Sequence, residues 1–212
     1  MIDLNNPADG DVLIVIDPQI DFCPGGALAV PGGDEIMPLV NRIAERFAHV
    51  VLTQDWHPRN QISFASTHGA EPFSTMTAPY GEQVLWPDHC VQGSPGADFH
   101  PLIKSGGLVD RAEVILRKGY NPAVDSYSAF FENDKTTATG LAGYLRDRRL
   151  TRCVFVGLAL DFCVRYSAED AVSEGFEAMV VTDAARAIDM NGSLDAAMLA
   201  LRTQGVALAT AA

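Results

Sequence analysis

The chain has 212 residues, 48% hydrophobic and 20% charged, a length and balance that fit one soluble globular domain with its own core. A formal net charge of −12 and a pI near 4.6 leave no basic surface for phosphate backbones or anionic lipid, which excludes nucleic-acid and membrane-surface roles. No apolar run approaches the ~18 residues of a membrane span, and Met1-Ile2-Asp3-Leu4-Asn5-Asn6 lacks the basic and apolar regions of a signal peptide, so the protein is expected in the cytoplasm. Four cysteines, Cys23, Cys90, Cys153 and Cys163, are too sparse for a disulfide framework and read as thiols.

Val12-Leu13-Ile14-Val15-Ile16 reads as a strand buried on both faces, stopped by Asp17 and Pro18. A loop follows to Gly26, and Pro31-Gly32-Gly33 breaks the chain. From Asp34, the residues Ile36, Leu39, Val40, Ile43, Ala44 and Phe47 recur at helical spacing and predict an amphipathic helix. His49 to Thr53 is a second strand, running into Gln54-Asp55-Trp56-His57-Pro58. Residues 58–107 lose all periodicity. Phe64, Phe73, Trp86, Phe99 and the histidines argue against disorder, so the segment reads as an ordered active-site excursion. Val114 to Leu116 is a third strand, stopped by Arg117-Lys118-Gly119. Leu141, Ala142 and Leu145 mark a helix that ends in cations at Arg146, Arg148 and Arg149. Cys153 to Val156 is a fourth strand, followed by Gly157-Leu158-Ala159-Leu160-Asp161-Phe162-Cys163-Val164 and a helix over Tyr166–Val172. A fifth strand (Ala178–Thr182), a helix (Ser193–Thr203) and a last strand (Val206–Ala209) complete the chain. Apolar strands alternating with helices predict a single three-layer α/β/α domain over 1–212 with a mainly parallel central sheet.

Ligands bind such sheets beyond the carboxyl ends of the strands. Asp17, Asp55, His57, Lys118, Asp161 and Cys163 all arrive at that rim. Cys163 stands where a strand becomes a helix, and the unpaired first-turn N–H groups there are expected to favour a thiolate. A cysteine attacking an amide needs a base, and a carboxylate serves if a cation holds it; Asp17 and Lys118 fill those roles, with Asp21 as a competing carboxylate. Each alone reads as a turn residue or a solvated charge; their joint arrival at one rim carries the argument. Asp55 and His57, with His89 in Trp86-Pro87-Asp88-His89-Cys90, form a mixed oxygen and nitrogen donor set suited to zinc, iron or manganese. Phe22, Trp86 and Tyr127 are loop aromatics able to sandwich a flat ring. His49, His68 and His100 lack comparable partners and read as structural, and Cys90 as a packed thiol.

In this order, the stretches Asp17-Pro18-Gln19-Ile20-Asp21-Phe22, Thr53-Gln54-Asp55-Trp56-His57-Pro58, Trp86 to Val91, Gly96 to His100, Lys118-Gly119, Tyr127 to Phe130 and Gly157 to Val164 resemble the nicotinamidase branch of the isochorismatase-like cysteine hydrolases. The resemblance spans nearly the whole chain. It implies Asp17 rather than Asp21 as base, Lys118 as supporting cation and Cys163 as nucleophile. A cis peptide between Leu158 and Ala159 is implied as well, with the Ala159 and Cys163 amides forming an oxyanion hole. The implied cofactor is one divalent metal, zinc first, on Asp55, His57 and His89; the implied substrate is nicotinamide, its ring nitrogen on the metal and its ring flanked by Phe22, Trp86 and Tyr127. Hydrolysis would give nicotinate and ammonia through a cysteine thioester, as in NAD salvage, with pyrazinamide as an additional amide. Gln61 departs from the pattern: many relatives carry a histidine there, which leaves the fourth ligand position open to water. The segment from Lys118 to Tyr127 is slightly longer than in compact relatives. Hydrolysis of an isochorismate or ureido compound, or metabolite binding without catalysis, remains an alternative on the same scaffold, and self-association into a homo-oligomer is left open.

Overall fold

Alternation along the first strand decides the layers: Val12, Ile14 and Ile16 face one hydrophobic core, while Leu13 and Val15 face the other. The computed structural model describes residues 2–211. Six strands form one sheet in the order β5-β2-β1-β6-β7-β8, with β1 (Asp11–Ile16), β2 (His49–Asp55), β5 (Val114–Lys118), β6 (Arg152–Leu158), β7 (Glu177–Arg186) and β8 (Ala207–Ala209). Every neighbouring pair in that sheet is parallel. The core beside Leu13 is closed by α1 (Met37–Ala44), α3 (Pro101–Ser105) and α4 (Leu108–Arg111), through Val40, Ile43, Ile103 and Leu108. The opposite core is closed by α5 (Leu141–Asp147), α6 (Arg165–Ser173) and α7 (Ser193–Thr203), through Leu145, Ala168, Ala171 and Leu201. The three-layer α/β/α architecture is therefore the one that the apolar strand runs predict.

Several boundaries differ from the sequence reading, and two matter for the site. Strand β2 continues to Asp55 and β5 to Lys118, where turn residues were expected. Parallel registry pairs Asp55 directly with Lys118, so the sheet itself sets a carboxylate beside an ammonium. Strand β7 runs on to Arg186 through a register shift near Phe155 and Gly157. The aperiodic stretch 58–107 contains short elements that periodicity did not reveal: α2 (Ala65–His68) and an antiparallel hairpin of β3 (Thr75–Ala78) and β4 (Gly81–Val84). Their strands are four residues each, too short for alternation to stand out. Among the described residues no helix is long and apolar enough to cross a membrane.

Gly157 fixes how closely β6 approaches β1 next to the site. Its φ is +112, and a Cβ there would lie 2.1 Å from the Ile16 carbonyl oxygen. Gly157→Ala therefore forces two central strands apart as well as straining the backbone. The expected outcome is a loss of at least about 3 kcal/mol in urea unfolding; a loss below about 1 kcal/mol would show that the sheet yields at this point.

Candidate active site and metal centre

Asp17 directly follows β1, and its left-handed φ of 43 bends the chain out of the sheet. Thr53 on the neighbouring strand locks it in place. The Asp17 N–H donates to Thr53 Oγ1 at 3.0 Å, and the same hydroxyl donates to Asp17 Oδ1 at 2.6 Å. Lys118 reaches the other carboxylate oxygen, Oδ2, at 2.8 Å. That oxygen has the charge of the ammonium beside it but lies outside hydrogen-bond alignment, and it has no directed donor. The ammonium itself donates to Asp55 Oδ1 at 2.5 Å, the Ser126 carbonyl at 3.0 Å and Cys163 Sγ at 3.4 Å. Suitable donor atoms of Asp17, Asp55 and Cys163 all lie within 4.8 Å of one another. A base, a cation and a sulfur from three separate strand ends thus converge at one point.

The surroundings of the sulfur differ from the sequence expectation. Cys163 lies inside a π-helical turn, Leu160–Val164, rather than in the first turn of α6. Burial pushes its thiol well above the ordinary range, Lys118 opposes this, and Asp17 and Asp55 add to it. A helix terminus contributes about 0.3–1 kcal/mol, less than one pKa unit, whereas full burial moves a group by several. Burial thus works against the expected thiolate. Burial also raises Asp17 to about 6 against the pull of Lys118. Lys118 stays firmly protonated, since Asp17 and Asp55 outweigh its burial.

Asp55 divides its oxygens between two tasks. Oδ1 takes Lys118, while Oδ2 lies 3.5 Å from His57 Nε2 and 3.9 Å from His89 Nε2. Both imidazoles are turned by backbone carbonyls behind them: His57 Nδ1 meets Gly119 O at 2.9 Å, and His89 Nδ1 meets Pro87 O at 2.8 Å. Each Nε2 is thereby directed toward the same space as Asp55 Oδ2, and the three donor atoms lie within 4.8 Å of one another. Gly119, at φ +66, is part of this arrangement, because a Cβ there would lie 2.4 Å from the His57 ring. Two imidazole nitrogens and a carboxylate oxygen, all buried and directed at one point, form a donor set that fits a divalent cation. Gln61 is not directed at this point. Its side-chain amide donates to Gly119 O at 3.1 Å and its carbonyl accepts from the Ile62 N–H, placing it behind His57 rather than beside the three donors.

Cys163 and the His57/His89 pair form part of the lining of one pocket of about 320 Å³. Phe22, Trp86 and Tyr127 also line it, as the loop aromatics were expected to. Trp86 Nε1 donates to Tyr127 Oη at 3.0 Å, and Gln83 Nε2 donates to the same oxygen at 2.8 Å, which fixes both rings. Four further lining residues were missed from sequence: Leu28, Asp125, Phe162 and Ile188. Phe162 packs edge-on against Trp86 with ring centres 4.9 Å apart. Its place beside Cys163 in sequence was the available signal. Asp125 and Ile188 carried none, since both stand in loops without periodicity. The peptide between Leu158 and Ala159 is cis, and Ala159 lines the pocket next to Cys163.

Asp21 is a strut rather than a second base. Its carboxylate accepts the Cys90 N–H at 2.7 Å and the Ala27 N–H at 3.1 Å, tying the first loop to the segment that carries His89. Gln19 was overlooked. Its side chain donates to the Asp55 carbonyl at 2.8 Å and accepts the Asp55 N–H at 2.7 Å, clamping a metal-site residue from the neighbouring strand end. His49 pairs with Glu113, His68 meets the Ile62 carbonyl, and His100 caps α3, so none faces the pocket.

A family model for the isochorismatase domain matches residues 11–212. A nicotinamidase of Acinetobacter baylyi is 50% identical over 200 residues, covering 94% of this chain and 92% of that protein. A solved nicotinamidase and pyrazinamidase structure from Acinetobacter baumanii superposes with a TM-score of 0.93 at 48% identity, covering 96% of this chain and 97% of that one. The pyrazinamidase of Pyrococcus horikoshii, solved in complex with zinc, gives a TM-score of 0.73 at 35% identity over 95% of this chain and 99% of that one. With a parallel sheet that gathers Asp17, Lys118 and Cys163 at its rim and a likeness that runs end to end, this chain belongs to the isochorismatase family, in its nicotinamidase branch.

Proposed function

We propose that this protein is an amidohydrolase that converts nicotinamide to nicotinate and ammonia through a thioester on Cys163. One observation carries the reading: Lys118 stands 2.8 Å from Asp17 and 3.4 Å from Cys163, and Cys163 lines an aromatic pocket together with Asp55, His57 and His89. Isochorismate or ureido substrates would leave the buried Asp55, His57 and His89 set without a task.

The Asp17 carboxylate takes the proton from the Cys163 thiol as sulfur attacks the carboxamide carbon. Lys118 offsets the two charges that pass through this space, which keeps the proton transfer from building net negative charge in a buried pocket. The oxyanion forms against the Ala159 and Cys163 amides. The C–N bond breaks as Asp17 returns its proton to the leaving nitrogen, releasing ammonia and leaving the thioester. Asp17 then takes a proton from water, whose oxygen attacks the thioester carbon. Nicotinate departs, and the sulfur recovers its proton from Asp17. Asp55, His57 and His89 would hold a divalent cation, with zinc the first choice and iron or manganese suited to the same donors, and it would supply Lewis-acid chemistry to the pocket. Phe22, Trp86, Tyr127 and Phe162 confine the ring, so the amide carbon is presented to the sulfur.

Cys163→Ala should lower ammonia release from nicotinamide by at least about 10³-fold while nicotinamide still binds by calorimetry. Residual hydrolysis within tenfold of the parent would sink the thiol mechanism. His57→Ala and His89→Ala should each reduce bound divalent metal, measured by plasma mass spectrometry, and raise KM. Unchanged metal content in both would remove these residues as ligands. The base must be ionised to act, and burial raises Asp17 to about 6, so kcat/KM should fall roughly tenfold per unit as pH drops below that value. A profile still flat near about pH 4, the ordinary carboxylate range, would exclude Asp17 as the base.

A further inference from the structure

Asp161 stands two residues before the nucleophile, is buried, and takes no part in the steps above. No cation is paired with it among the described residues. Its carboxylate instead accepts three hydrogen bonds from the segment between β7 and α7. The Ile188 N–H donates at 3.0 Å, the Asp189 N–H at 2.8 Å and the Ser193 hydroxyl at 2.5 Å. The two amides lie at the start of that loop and the hydroxyl at its end, so one buried carboxylate fastens both ends to the turn that carries Cys163. Between them, Asp189, Asn191 and Gly192 all have left-handed φ, which makes the loop a tight bend rather than an extension of the sheet. Ile188, held through its own N–H, is the loop residue that lines the pocket.

We propose that Asp161 is a positioning residue and that Ile188, at the place Asp161 holds it, determines which ring substituents the pocket admits. Ile188 shares one pocket lining with Cys163, Asp55, His57 and His89, so a ring that brings its amide to the sulfur is confined beside Ile188. A misfit of one methyl group in a fixed pocket changes kcat/KM by roughly 10- to 200-fold. The expected preference is for unsubstituted pyridine carboxamides over their ring-methylated derivatives. This inference rests on the nicotinamidase reading.

The test compares nicotinamide with its 5-methyl and 6-methyl derivatives on the metal-loaded enzyme, using Ile188→Ala, Asp161→Asn and Ser193→Ala. Ile188→Ala should raise the kcat/KM of at least one methylated amide relative to nicotinamide by about tenfold or more. Asp161→Asn keeps one acceptor but turns a donor toward the loop. It should shift the same ratio in the same direction and raise the KM for nicotinamide more than it lowers kcat. Ser193→Ala removes one hydrogen bond, retains Asp161 and should give a smaller shift of the same sign, which keeps the test decisive if Asp161→Asn does not fold. Ratios unmoved within twofold in Ile188→Ala and Ser193→Ala would overturn the proposal, as would an Asp161→Asn enzyme with lower kcat and unchanged KM. Parent enzyme that fails to release ammonia from nicotinamide would instead overturn the functional reading itself.

Discussion

A single buried ammonium organises this molecule. Lys118 bridges Asp17 at 2.8 Å and Asp55 at 2.5 Å, with all three side chains out of water. An unpaired charge in that position would cost several kcal/mol, so each carboxylate and the lysine depend on the others for their ionised states. The lysine also touches Cys163 Sγ at 3.4 Å, which makes it the link between the sulfur and the metal donors. That link is built by strand registry. Asp55 and Lys118 are direct partners on adjacent parallel strands, so rigid backbone sets their separation.

Division of oxygen atoms lets two functions share this cluster. Asp55 gives Oδ1 to Lys118 and turns Oδ2 toward His57 and His89. Asp17 gives Oδ1 to Thr53 and sets Oδ2 beside the Lys118 ammonium. Burial pushes both the Cys163 thiol and the Asp17 carboxyl upward, to about 6 for Asp17, while Lys118 opposes it at each.

Around this centre, buried polar side chains serve as ties between segments that have no regular structure of their own. Gln19 clamps the end of β2, Asp21 binds the segment bearing His89, and Asp161 fastens the loop before α7. Each carboxylate or amide satisfies backbone N–H groups that irregular chain leaves without partners. The long excursion through residues 58–107 is tied by Asp21 at the Cys90 N–H and by Gln19 at the Ala97 carbonyl, and it carries the short β3–β4 hairpin.

Much of this was legible from the residues themselves. Unbroken apolar runs such as Val12–Ile16 and Cys153–Val156 identify buried parallel strands, and polar residues directly after them fall at the rim, which is why Asp17, Asp55, His57, Lys118 and Cys163 stood out. The aromatics Phe22, Trp86 and Tyr127 were legible because they lie off any periodic face. Other features depend on contacts between distant segments. Asp17 and Asp21 are equivalent to periodicity, and family likeness separated them in sequence; in the fold, Thr53 and Lys118 surround one while backbone amides occupy the other. The extension of β2 and β5 to Asp55 and Lys118, the roles of Gln19, Asp125 and Ile188, and the upward push of burial on the Cys163 thiol all required tertiary structure. Hydrophobic pattern is a local property that reports which elements form. The charge state of a buried group and the walls of a pocket are set by whatever folding brings alongside, and the sequence neighbours of Cys163 contain neither the ammonium nor the carboxylates that determine its chemistry.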